Sequence, residues 1–450
     1  MSEFSKRLGS LTPEQRRLLE LKLQKKGLPA SLLPDSSGAG GASRRNAPPA
    51  PSEDAPESDG RTPVKGMRFS LFFFSGDGSK AETGKYHLLL ESAKFADREG
   101  FSAVWTPERH FQDFGGLYPN PSVLGAALAM VTERVQIRAG SVALPLHHPV
   151  RVAEEWAVVD NLSGGRVAVS FASGWHAGDF VLAPDAYPER KEVMFSHIEL
   201  FRRLWAGETV AFAGVNGKEI ELKTLPRPVQ PQLPFWITSA GNPETWARAG
   251  EIGANVLCGM QGETFETLGR KVELYRAARA GAGHDPLTGQ VSVMLHTFLG
   301  EELGTVKEQT RPALTAYLQT FLKESQNESR KSAGVQVESA SDAENEMRAA
   351  LAFEYYFNRN SLLGTIGKCA RMVDGLAAIG VDEIACLIDF GLEVETVLGG
   401  LCHLNELRRR YDLAPGTVSS RDPAAQPLAE AVEQPGQAAQ APPEAHASNG

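Results

Sequence analysis

The segment FSAVWTPERHFQDFGG, residues 101–116, starts as a buried-strand pattern and ends in two charges, a histidine and two glycines. Histidine is the side chain most often used in general acid–base chemistry, which makes His110 a candidate for it. A histidine just past a strand also serves as a turn or capping residue, or as a ring packed under a loop, and position alone leaves these readings open. A second stretch, SAGNPETWARAGEIG, residues 239–253, runs a small-residue loop into Pro243, a favoured first residue of a helix. Backbone N–H groups and the positive helix end then converge on one spot, which suits an anion, although a plain glycine-containing strand-to-helix turn has the same pattern. Arg190, in PERKEVMF, is a candidate clamp on phosphate or a surface arginine paired with Glu189 or Glu192.

Other patterns carry less. SGDGSKA, residues 75–81, matches a dinucleotide fingerprint at Gly76, Gly78 and Ala81, but helical periodicity resumes only near Gly84, too late for the tight turn that delivers pyrophosphate to a helix. No P-loop, nucleophile elbow or HExxH motif is present. His147 and His148 are adjacent, so their side chains point apart; without a surrounding carboxylate–histidine set, structural roles are expected and no metal site is assigned.

These groups need a scaffold. With 450 residues and 42% apolar content, one large domain with a substantial core is expected. The net charge of −9 argues against a general affinity for nucleic acid or anionic membrane. Four cysteines, Cys258, Cys369, Cys386 and Cys402, fall singly, as reduced thiols in a cytoplasm would. The N-terminus lacks an apolar signal core and nowhere do about 18 apolar residues run together, so a soluble, unexported chain is expected.

Apolar, β-rich runs at 68–74, 102–106, 135–144, 165–172, 234–239, 254–258, 290–299 and 382–390 alternate with helical patterns. Eight parallel strands joined by helices predict an α/β fold, a closed TIM (β/α)8 barrel. Chemistry then belongs at the strand C-terminal ends. That face should hold His110, Gly140, Ser141, Ser173, Gly174, Trp175, the 239–245 loop, Asp389 and Phe390. The expected organisation is an N-terminal segment 1–33 with a capped helix over 11–27, a disordered linker 34–66, a barrel 67–413, and a disordered tail 414–450. Two departures are expected inside the barrel: a hairpin over 209–223 turning at Asn216-Gly217, and a polar insertion over 323–348 that could act as a lid.

PERHFQDFGG, followed by LPLHHPVRVAEEWAVVDNLSGGRVAVSFASGW, resembles the bacterial luciferase-like, flavin-dependent monooxygenases, and the resemblance runs from about Met67 to Tyr411. TPERHF, SFASGWH and DEIACLIDFG resemble more narrowly the branch embedded in nonribosomal peptide and polyketide assembly lines, and LTPEQRRLLELKLQKKG resembles the short helical linkers of those megasynthases. The resemblance implies a barrel that binds reduced FMN. It implies that His110 is the catalytic histidine and that Gly140-Ser141 is a pair whose peptide is often cis beneath the flavin ring. Ser173, Gly174, Ser239, Ala240 and Gly241 correspond to phosphate and ring-contact loops, with Arg190, Asn242 and Thr245 as supplementary phosphate ligands. Ala172 and Ser173 stand where luciferase has a reactive cysteine and an arginine, which puts light emission and long-chain aldehyde oxidation in doubt. The implied activity is oxygenation of a natural-product intermediate, carrier-tethered or free, with reduced FMN from a separate flavin reductase and with O2. The implied partners are that reductase, a carrier protein or megasynthase module, and a second copy of the chain. Hydride transfer with a flavin or deazaflavin on the same barrel, and a non-catalytic flavin-binding scaffold, are the alternatives.

Overall fold

The computed structural model describes residues 66–74, 84–112, 115–239, 241–333 and 342–412. The expected 11–27 helix, the linker before Gly66, the 76–81 glycine run, Ala240 and the 414–450 tail lie outside these residues. In chain order, β1 (Arg68–Phe72), α1 (His87–Glu99), β2 (Ala103–Thr106), α2 (Pro121–Ala129), β3 (Gln136–Ala143), α3 (Pro149–Ser163), β4 (Val167–Ala172) and α4 (Arg190–Ala206) alternate. A hairpin of β5 (Val210–Ala213) and β6 (Glu219–Leu222) follows, then β7 (Phe235–Thr238), α5 (Pro243–Glu251), β8 (Asn255–Gly259), α6 (Phe265–Gly281) and β9 (Val291–Leu299). Two helices, α7 (Leu303–Ala333) and α8 (Asp342–Arg359), lead through the short β10 (Leu362–Gly364) to α9 (Ile366–Ala378), β11 (Glu383–Leu387) and α10 (Val394–Arg409).

Eight strands close a parallel barrel in the order β1-β2-β3-β4-β7-β8-β9-β11, with Phe69 of β1 opposite Ile384 of β11 to seal it. The expected TIM barrel is the observed fold. Its strands read as near-continuous apolar runs because both faces are buried. One face packs outward, with Leu71, Val104, Ile137, Val169 and Ile237 among the residues against the helices. The other fills the interior with Phe72, Trp105, Trp236, Leu257 and Leu387. β10 adds a short parallel strand beside the far end of β9, Leu363 opposite Phe298.

The hairpin is present, with Asn216 and Gly217 at φ 63° and 71° in its loop. Within the polar 323–348 segment the backbone is helical to Ala333 and again from Asp342, and residues 334–341 lie outside the described residues. Its Lys, Glu, Gln, Arg and Ala residues keep helix propensity while erasing the apolar stripe by which a helix is recognised. Among the described residues no helix is long and apolar enough to cross a membrane.

Candidate active site

Past Thr106 the chain leaves β2 and crosses the barrel mouth. Glu108 turns inward there, its side chain 1% exposed, and three donors meet its carboxylate. The Ala143 N–H donates to Oε2 at 2.7 Å, while His110 Nε2 and His147 Nε2 lie 2.9 and 2.5 Å from Oε1. Burial by itself would raise the Glu108 carboxyl; the two imidazoles and the amide outweigh it and hold it below its ordinary value. Burial likewise works to lower His147, and the Glu108 carboxylate outweighs that and raises it. An ionised carboxylate only accepts hydrogen bonds, so each histidine presents Nε2–H to it. In the neutral imidazole of His110 the proton-accepting nitrogen is therefore Nδ1. The next residue, Phe111, has φ 58°, a backbone conformation rare outside glycine, and its ring is 5.5 Å from that of His110.

His147 thus corrects the expectation that no carboxylate–histidine set surrounds the His147-His148 pair. The two rings do point apart: His147 reaches Glu108, and His148 packs on Phe212 of the hairpin at 5.2 Å. Among the described residues no group of three or more His, Cys, Asp and Glu is arranged to hold a metal ion. Arg109, 4% exposed, lays its guanidinium 5.3 Å from the ring centres of both Phe74 and Trp175. Gly115 allows this: with φ 83°, a Cβ there would fall 2.8 Å from the Arg109 side chain. Asp389 accepts from the Phe74 N–H at 2.9 Å and the Tyr118 hydroxyl at 3.1 Å, tying the end of β1 to the mouth.

Beside this cluster lies a step of bare backbone. The Gly140-Ser141 peptide is cis, and the β3–β4 register slips there so that Gly140 pairs with Ser170 and Val142 with Phe171. Ser141 is the extra residue of this bulge. Its Oγ meets Thr238 Oγ1 at 2.5 Å, and Thr238 Oγ1 meets Ser170 Oγ at 2.7 Å, a chain of three hydroxyls across β3, β4 and β7. A Cβ on Gly140 would lie 2.8 Å from Phe72 and 2.9 Å from Trp105, so glycine is required for the strand to sit down on those rings.

The β4 and β7 loops form the third part. Arg190, at the start of α4, donates from Nε to the Gly174 carbonyl (3.2 Å) and from Nη1 to the Tyr187 carbonyl (3.1 Å), which leaves Nη2 as the donor engaged by neither. Glu192 pairs with Arg248 at 2.8 Å rather than with Arg190. Asn242 caps α5, its Oδ1 accepting from the Glu244 N–H at 2.9 Å, Pro243 takes the first helical position, and the Thr245 N–H is bonded to the Asn242 carbonyl at 3.1 Å. The Gly241 N–H donates to Ser239 Oγ at 3.4 Å, and Ser239 is buried. Asn242 and Thr245 are thus committed in part to building the helix end, while the sequence reading gave them to phosphate alone. Ser173 stands next to Gly174 in the loop after β4.

Glu108, Arg109, Ser170 and Thr238 carry no signal in the sequence analysis, and His147 is given only a structural role there. Glu108 lay in plain view two residues before His110, but its partner His147 is 39 residues away and joins it through the barrel closure.

A closed parallel barrel carries a carboxylate-held histidine at its mouth and a cis peptide step in β3. The profile of the Luciferase-like monooxygenase family matches residues 67–383, and the chain belongs to that family. It is 27% identical over 341 residues to the oxygenase component of the flavin-dependent trigonelline monooxygenase of Acinetobacter baylyi, covering 73% of this chain and 91% of that protein. It is 32% identical over 195 residues to the F420-dependent glucose-6-phosphate dehydrogenase of Amycolatopsis mediterranei, covering 42% of this chain and 55% of that one. The FMN complex of the oxygenating constituent of 3,6-diketocamphane monooxygenase, a type II Baeyer–Villiger enzyme of Pseudomonas putida, superposes with a TM-score of 0.62 at 18% identity, over 78% of this chain and 100% of that one. The donor set here fits a flavin: a bare backbone step with hydroxyls for a flat ring, and an arginine and a helix N-terminus for a phosphate.

Proposed function

We propose that this chain is a flavin-dependent monooxygenase that uses reduced FMN, supplied by a separate reductase, and O2 to oxygenate a natural-product intermediate. When bound, reduced FMN supplies the two electrons that let one oxygen atom pass to the substrate and the other leave as water. The observation that carries this reading is the buried Glu108 carboxylate holding His110 and His147 beside the cis Gly140-Ser141 step. Glu108 fixes the His110 ring and its Nε2–H tautomer, and His110 Nδ1 takes and returns the proton of the reaction. Ser141, Ser170 and Thr238 line the ring seat. Ser173, Gly174, Arg190, Ser239, Ala240, Gly241, Asn242 and Thr245 hold the phosphate end and the ring edge, Arg190 through Nη2. Arg109, stacked between Phe74 and Trp175, closes the mouth to water. The motif likeness to assembly-line enzymes supports a carrier-protein-bound substrate and a cytoplasmic setting. The spacing after the 75–81 glycine run, too long for a dinucleotide-binding turn, supports dependence on an outside flavin reductase.

The test is titration of purified chain with oxidised and with reduced FMN, followed by turnover with and without an added reductase. Tighter binding of the reduced form and strict reductase dependence are expected. Steady NAD(P)H consumption by the chain alone overturns the two-component reading. The likeness to an F420-dependent dehydrogenase supports a second reading, hydride transfer with a deazaflavin, and oxygen uptake coupled to substrate separates the two.

A further inference from the structure

His296 lies on β9, the seventh barrel strand. Side chains alternate along a strand, and Ser292, four residues earlier, faces inward, accepting from the Trp236 indole at 3.1 Å and donating to Glu383 at 3.2 Å. His296 therefore faces inward too, one level nearer the mouth, paired in register with Leu387 of β11. It is 2% exposed, and three aromatic rings stand nearly perpendicular to it: Tyr317 of α7 at 4.5 Å, Phe390 at 5.6 Å and Tyr356 of α8 at 6.0 Å. Inside this box its Nε2 is buried and has no hydrogen-bond partner among the described residues.

Several polar groups near the box are satisfied, and two of its three rings are tyrosines that carry hydroxyls of their own. Thr297 donates to the Leu295 carbonyl, Asn360 to the Met260 carbonyl and Ser361 to the Tyr356 carbonyl. A buried polar atom left unpaired costs stability, so a site that keeps one among well-bonded neighbours points to a partner that is not part of the chain. Burial pushes the imidazole down to about 3, so it is neutral at any working pH and offers one nitrogen, not a charge. Perpendicular rings suit the face and edge of another aromatic ring. A polar atom such as His296 Nε2 in this box discriminates strongly, because a ligand without a matching group leaves it unpaired.

We propose that His296 is a substrate-recognition residue, and that a planar aromatic moiety of the substrate, entering between β9, α7 and α8, hydrogen-bonds His296 Nε2 through a hydroxyl group. This deepens the monooxygenase reading in naming the substrate class, and rests on it only for the use of that binding in catalysis. The binding itself needs no flavin.

The experiment uses the full chain with p-cresol and toluene as probes, followed by calorimetry and by 15N resonances of the histidine side chains. p-Cresol is expected to bind about tenfold or more tighter than toluene and to shift the His296 Nε2 resonance. In His296→Phe the preference falls to about twofold or less, since an apolar ring replaces the polar atom. His296→Met carries the same expectation should the phenylalanine variant fail to fold. Equal binding of the two probes, binding of neither, or a preference that survives in the folded variants overturns the proposal. Loss of reduced-FMN affinity in the variants with no change in probe preference also overturns it, assigning His296 to the cofactor and leaving the monooxygenase reading standing. Failure of reduced FMN to bind the unsubstituted chain removes that reading while the probe result stays interpretable.

Discussion

The floor and the mouth of this barrel are built from the same eight strands and treat polar groups in opposite ways. At the floor, Glu383 and Arg138 are buried together, with Arg138 Nη1 at 3.0 and 2.8 Å from the two carboxylate oxygens. Ser102 and Ser292 also donate to Glu383, and the Arg138 guanidinium lies 4.7 and 4.5 Å from the ring centres of Trp105 and Trp236. The Trp105 indole in turn donates to Ser70 at 2.9 Å. Here each charge is spent on the fold. At the mouth, by contrast, Glu108 immobilises one nitrogen of His110 and leaves the other, while His296 keeps an unpaired nitrogen in an aromatic box. The contrast teaches where stability and chemistry are stored: groups with every bond filled hold the barrel shut, and groups with one bond open do its work.

If that division holds, substitutions at the two ends fail in different assays. His110→Ala should lower product formation by about 10²- to 10⁴-fold, the share of one general acid–base group, with folding and reduced-FMN affinity little changed. Product must be quantified rather than oxygen uptake, since oxygen reduction uncoupled from substrate would mask the loss. Full product yield, or a collapse of the fold, would place His110 with the floor residues.

Glu383→Gln should cost about 3–5 kcal/mol in denaturant unfolding, because it strands a buried guanidinium, while turnover per folded molecule stays near normal. The pH dependence has a definite sign. Burial favours the neutral acid, but Arg138 outweighs it and holds Glu383 down to about 2, below its ordinary value. Its stabilisation is complete above the unfolded value of about 4.3 and is lost as pH falls toward about 2. The variant should lack that acid slope; an unchanged slope would show that Glu383 is not its source.

The smallest effect is expected at Asn242→Ala, which removes the α5 cap and should cost about 1 kcal/mol. It tests whether a mouth residue can have a floor-type duty. A stability loss near zero with a large fall in FMN affinity would return Asn242 to the phosphate alone.

Much of the scaffold is legible in the sequence because strands buried on both faces leave unbroken runs such as RFSLFFF and QVSVMLHTFL, and Pro, Asn and Gly punctuate the helices between them. The helical backbone beyond residue 323 was not legible, since a helix polar on all sides has no periodicity to read. The site divides in the same way. His110, Gly140, Ser141 and Gly174 sit in recognisable motifs, whereas the Glu108–His147 bond and the His296 box are created by closure, joining residues from separate strands. A signal for His296 is its spacing of four from Ser292, which puts both on the inward face of one strand.

Gly140 gives the two ends a shared mechanical tolerance. Its missing side chain lets β3 rest against Phe72 and Trp105, and the same residue begins the backbone step proposed as the ring seat. The thickness of the aromatic layer below therefore sets the height of the seat above. Replacing Phe72 by a larger ring or Trp105 by a smaller one would move the proposed ring seat without touching any residue that lines it, so repacking this core and retuning this site are one operation.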